Sequence, residues 1–107
     1  MTSIVKELSV WTMNNAQELR DNGVEIRANI PDPGSNVPWK ASIGMIYGSI
    51  VVSYTVWERT ILQTELLVLN SITKKTIVME DRTPSGAEIV HSDLDDVVKK
   101  LMDHTFG

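Results

Sequence analysis

The dipeptide Gly48-Ser49 separates two stretches in which large apolar residues fall on alternate positions: Ala41, Ile43, Met45 and Tyr47 before it, and Ile50, Val52, Tyr54 and Val56 after it. A two-residue repeat marks strands with one buried face, and a two-residue turn with glycine at its first central position joins antiparallel strands in a fixed register. Pairing Tyr47 with Ile50 sets Met45 opposite Val52, Ile43 opposite Tyr54 and Ala41 opposite Val56. All of these side chains then share one face, and a slip of one residue would turn every one of them to the other. Lys40, Ser42, Ser53, Thr55 and Trp57 are left on the opposite, hydrophilic face. Such a sheet needs a covering layer on its apolar side only.

The flanking sequence supplies that layer and more strands. With Glu58-Arg59-Thr60 as a three-residue loop, Trp57 pairs with Ile61, so Leu62, Leu66 and Val68 join the apolar face while Gln63 and Glu65 join the polar one. A further strand is predicted near Lys75 to Glu80, its faces unassigned because Ile77, Val78 and Met79 are apolar in succession. Upstream, Val24, Ile26, Ala28 and Ile30 alternate with Glu25, Arg27 and Asn29 until Pro31, which opens a surface loop running to Pro38. Ser3 to Asn22 places Val5, Leu8, Trp11, Ala16 and Leu19 in one helical stripe, closed by Asn22-Gly23. Trp11 is expected in the core and Trp39 at its rim. At the other end Ser92 is predicted to cap a final helix, with Asp93, Asp95 and Asp96 in its first turn and Lys99 and Lys100 later. Leu94, Val97, Val98, Leu101 and Met102 form its buried stripe. The order predicts one α+β domain over residues 1–107: an antiparallel meander of about five strands with the N- and C-terminal helices packed on one face.

Charge and composition narrow the chemistry. With 14 acidic and 10 basic side chains the formal charge is −4, which disfavours a long phosphate-neutralising surface, so nucleic acid is not the expected partner. The chain has no cysteine, which fits a reducing cytoplasm and excludes thiolate metal sites. No apolar run reaches the roughly 20 residues of a membrane span, and no signal peptide is visible. His91 and His104 have no partner ligand at helical metal-site spacing, and the three aspartates lack the pattern of a calcium loop. No Gly-x-Ser-x-Gly turn, phosphate-cradling glycine run or cysteine nucleophile is present. The expectation is therefore a non-enzyme without catalytic residues, cofactor or metal.

The open sheet face is the remaining candidate. Tryptophan and arginine dominate interface energetics, and Trp57 lies there among polar groups. Trp57, Glu58, Glu65, Gln63, Arg27 and Lys40 are the residues expected to bind a partner protein.

The same chain resembles a family. Trp11 in a helix ended by Asn22-Gly23, the stretches Ser53-Tyr54-Thr55-Val56-Trp57-Glu58 and Glu65-Leu66-Leu67-Val68-Leu69-Asn70, and the closing Ser92-Asp93-Leu94-Asp95-Asp96-Val97-Val98-Lys99-Lys100-Leu101 are similar to bacterial immunity proteins of the TriTu type. Those are encoded beside Rhs-type toxins, linked to type VI secretion, whose C-terminal domains are ADP-ribosyltransferases. The resemblance implies a bacterial cytoplasmic antitoxin, monomeric when free or heterodimeric with its cognate toxin, that acts by covering the toxin's active cleft. The rival expectation is a small structural or adaptor module that self-associates or scaffolds another protein.

Overall fold

The computed structural model describes residues 3–30, 40–58 and 60–106. The Pro31 to Pro38 loop, Trp39 and Arg59 lie outside the described residues. The elements follow as α1 (Ile4–Asp21), β1 (Glu25–Asn29), β2 (Lys40–Tyr47), β3 (Ile50–Glu58), β4 (Leu62–Asn70), β5 (Lys75–Arg82) and α2 (Ile89–Met102). The strands form an antiparallel meander in the order β1-β2-β3-β4-β5.

Helix α1 begins where the Ser3 hydroxyl accepts the Lys6 amide at 3.3 Å, and Glu58 of β3 accepts the Ile4 amide at 2.9 Å. These side chains satisfy donors that a helix N-terminus leaves without intrahelical partners. Ile4, Val5, Leu8, Trp11 and Leu19 make its buried stripe. It stops at Asn22 because Gly23 takes φ +87°, a left-handed conformation that costs a Cβ-bearing residue, and the Val24 amide closes back on the Leu19 carbonyl at 2.9 Å. Val24 and Ile26 then enter the core, while Ala28, on the edge strand, is exposed.

The β2–β3 hairpin has the register that its alternation dictates, with Tyr47 opposite Ile50 and Gly48 at φ +60° in the turn. Across β3 and β4 the loop is displaced by one residue relative to the sequence reading: Glu58 stays in β3 opposite Leu62, and Trp57 pairs with Gln63 rather than Ile61. The Glu58 carboxylate, at the end of β3, reaches the start of α1. The pairing shifts by two residues, so the faces are preserved: Leu62, Leu66 and Val68 point to the core side and Gln63 and Glu65 away from it. In β5 a bulge opposite Val68 and Leu69 resolves the apolar triplet. Ile77 is the extra residue, Val78 packs against the core and Met79 turns outward, 69% exposed.

Helix α2 departs from the sequence reading. It begins at Ile89 after Glu88, without a side-chain cap, and Ser92 instead donates its hydroxyl to the Ile89 carbonyl. Buried Ala87 and Val90 anchor the chain one turn earlier than the Ser92 signal. His91 consequently lies inside the helix and faces Glu7 of α1. Asp93 and Asp95 make tertiary hydrogen bonds rather than line a first turn: the Tyr54 hydroxyl donates to Asp93 at 2.8 Å and the Trp11 indole N–H to Asp95 at 2.9 Å. Asp96 pairs with Lys100 one turn on. Val90, Leu94, Val97 and Leu101 are buried, with Val98 and Met102 partly so. Past the helix His104 adopts φ +55° and its ring stacks on Tyr47, and Phe106 closes the core.

Both helices cover the same sheet face, the one carrying Ile43, Met45, Val52, Tyr54, Val56 and Val68. Among the described residues no helix or strand lies over the other face.

Candidate interaction surface

The cross-strand register arranges the uncovered face in rows. One row runs Asn29, Ser42, Thr55, Glu65, Asp81, and the row beside it holds Lys40, Trp57 and Gln63. The Lys40 ammonium stands 5.8 Å from the Trp57 ring centroid, within cation–π range. Glu65 lies directly opposite Asp81, and among the described residues neither is in an ion pair. Trp57, Gln63, Glu65 and Asp81 together line a shallow depression at the sheet's end. Like charges facing each other across strands repel, and the one cation lining the same depression among the described residues, Arg82, is engaged by Glu80 and Asp93.

Four of the expected binding residues, Trp57, Gln63, Glu65 and Lys40, are thus neighbours on one face. Arg27 shares that face but sits on the edge strand, its side chain 81% exposed and paired with Glu25 at 2.8 Å. Glu58 does not belong to this surface. Its even-numbered parity places it on the covered side, where it accepts from the Ile4 amide and the Ser3 hydroxyl.

The other end of the face is not the polar platform that the sequence reading expected. Ile46, Val51 and Leu69 form one row, and Gly44, Ser53, Leu67 and Met79 lie in the next. Ile46 is 37% exposed, and Ile72, in the β4–β5 turn, is 79% exposed. The alternation of β4 contains the signal, because Leu67 and Leu69 share parity with Gln63 and Glu65. The run Leu66-Leu67-Val68-Leu69 is apolar throughout and hides it.

On the covered side a polar network crosses the core boundary. Arg82 reaches Asp93 at 3.2 Å and Glu80 at 2.8 Å, while Asp93 also accepts from Tyr54. Burial, reinforced by the hydrogen bond to the Asp93 carboxylate, holds the Tyr54 phenol well above its ordinary range. Tyr54 is therefore a fixed neutral donor that ties β3 to α2. A small cavity beside it, of about 80 Å³, lies between β3–β5 and α2. Its acidic and basic groups are already paired with one another. No group of acidic and histidine side chains able to hold a metal is found among the described residues.

These features define a class by architecture: an α+β domain whose meander sheet is covered by helices on one side. No family model, curated protein or solved structure matches the chain. No helix among the described residues is long and apolar enough to cross a membrane.

Proposed function

We propose that this chain is a protein-binding module that works through the uncovered face of its sheet, and that its partner is a toxin it neutralises. The reading is that of an immunity protein acting in the bacterial cytoplasm, with an ADP-ribosyltransferase as the toxin, in line with the TriTu-type resemblance. One observation carries it: the sheet is greasy toward two helices and presents Trp57, beside Lys40, Gln63 and Glu65, on the side without a helical layer. A half-buried indole at a strand end supplies a rigid anchor at low entropic cost.

Charge supports the choice of partner. A cleft that binds the pyrophosphate of NAD presents positive charge, and the −4 net charge together with the Glu65–Asp81 corner favours association with it. Inhibition is by occlusion of that cleft and assigns no catalysis, cofactor or metal to this chain. An interface of ordinary size buries roughly 1,600 Å² in total, which requires the face and a flanking loop.

The test is rescue from toxicity when the chain is co-expressed with the product of the neighbouring upstream gene. Trp57→Ala combined with Glu65→Lys is expected to leave the circular dichroism spectrum unchanged and to abolish both protection and co-purification. Full protection by that variant would refute the assignment of this face.

A further inference from the structure

Beyond that reading, we infer that the uncovered face is self-complementary and that the free chain pairs with a second copy of itself, sheet on sheet, about a two-fold axis running along β3. Two copies of one face packed with their strands aligned can meet about an in-plane axis that lies nearly parallel or nearly perpendicular to the strands. A perpendicular axis would lay the Ile46–Val51–Leu69 end on the Lys40–Trp57–Gln63 end and desolvate polar groups against apolar ones. The parallel axis keeps every row in place and exchanges left for right, so β2 of one copy lies over β4 of the other.

Three matches follow from that exchange. Ile46 meets Leu69, apolar on apolar, while Val51 meets its own equivalent on the axis. Gly44, which has no side chain, meets Leu67, so a notch receives the larger residue. Lys40 and Ser42 come over Gln63 and Glu65, which brings an ammonium to the acidic corner where Glu65 and Asp81 face each other without an ion pair among the described residues. Aligned packing of twisted sheets about 10 Å apart, with strands crossing near 30°, is the ordinary geometry for such a contact.

The size of the contact sets its strength. Five strands about 4.8 Å apart, of five to nine residues rising about 3.3 Å each, span a face of roughly 24 by 26 Å. That is on the order of 600 Å² per copy, below the about 800 Å² per partner of a standard specific interface. The pair is thus a weak one that a tighter partner displaces from the same surface, and it replaces the expectation of a free monomer.

Sedimentation equilibrium of the isolated chain, from low to high micromolar concentration, tests this without any toxin. The expected result is a concentration-dependent rise toward twice the 12.0 kDa chain mass. Lys40→Glu and Glu65→Lys, each alone, should weaken the dimer at least tenfold, and the double exchange should restore it. Because the chain has no cysteine, Ser53→Cys on the axis should cross-link to its own equivalent with a short bis-maleimide, whereas Met13→Cys on α1 should not. A monomer at every concentration would overturn the proposal. So would a dimer indifferent to both charge reversals, or one that cross-links through position 13 but not position 53. The unsubstituted chain separates the two readings: a monomer at every concentration overturns the dimer whether or not that chain rescues cells from the toxin.

Discussion

Trp57 and Glu58 are adjacent in β3 and point to opposite sides of the sheet, so replacing each with alanine should separate binding from stability. The Glu58 carboxylate accepts the amide of Ile4 at 2.9 Å and the hydroxyl of Ser3 at 3.3 Å, joining the start of α1 to the end of β3. Ile4 is fully buried, so without Glu58 its amide has poor access to water. Loss of a helix cap costs about 0.5–2 kcal/mol, and a buried donor left unmatched costs about 1–3 kcal/mol. The two effects overlap, so Glu58→Ala should destabilise by about 2 kcal/mol. A chain of 107 residues unfolds with an entropy of about 0.22 kcal/mol/K, which makes that a fall in Tm of about 9 °C. Glu58→Gln keeps an acceptor oxygen but loses the charge that favours a helix N-terminus, and should show about half the loss. The assay is thermal and urea unfolding followed by circular dichroism, alongside co-purification with the toxin. Glu58→Ala should bind the toxin normally below its Tm, whereas Trp57→Ala should bind weakly with a smaller change in Tm. An unchanged Tm for Glu58→Ala would refute the capping argument, and loss of binding without loss of stability would return Glu58 to the interface.

Other outcomes follow from the same contacts. Tyr54→Phe removes a hydrogen bond to a carboxylate and should cost about 1.5–3 kcal/mol, measured by urea unfolding. The Tyr54 phenol is raised above its ordinary 10.0 in the folded state, so its contribution is complete below pH 10.0 and declines as pH climbs past that value. Tyr54→Phe should flatten that alkaline decline, and an unaltered slope between neutral and strongly alkaline pH would contradict the assignment. Gly23→Ala forces a Cβ into φ +87° with no steric clash nearby, so it should destabilise by about 1–2 kcal/mol through the backbone alone. Leu94→Ala, at a fully buried position of α2, should cost about 2–5 kcal/mol, visible as a lower urea midpoint at unchanged slope.

What sequence reasoning recovered, and what it missed, depended on the range of the interactions involved. The Gly48 turn, the parity of Ile43, Met45, Val52 and Tyr54, and the stop at Gly23 are set within a few residues, and each has the geometry its pattern dictates. A serine followed by aspartates is a good local cap, yet α2 starts about one turn earlier, at Ile89. Ala87 and Val90 are buried in the core, and that burial outweighs the cap. Asp93 and Asp95 instead serve Tyr54 and Trp11, residues 39 and 84 positions away in the chain. The role of Glu58 is not legible locally, because its partners Ser3 and Ile4 lie more than 50 residues earlier.

The chain's own order of apolar and polar residues determined that there would be a meander with one buried face, because a period of two leaves each strand only one way to hide its large side chains. Only the assembled tertiary structure decided where β3 ends, which side the β5 bulge turns Met79 toward, and that the outer face is split into an apolar end and a charged end. Those outcomes depend on side chains brought together from distant segments, whose mutual distances no local pattern encodes.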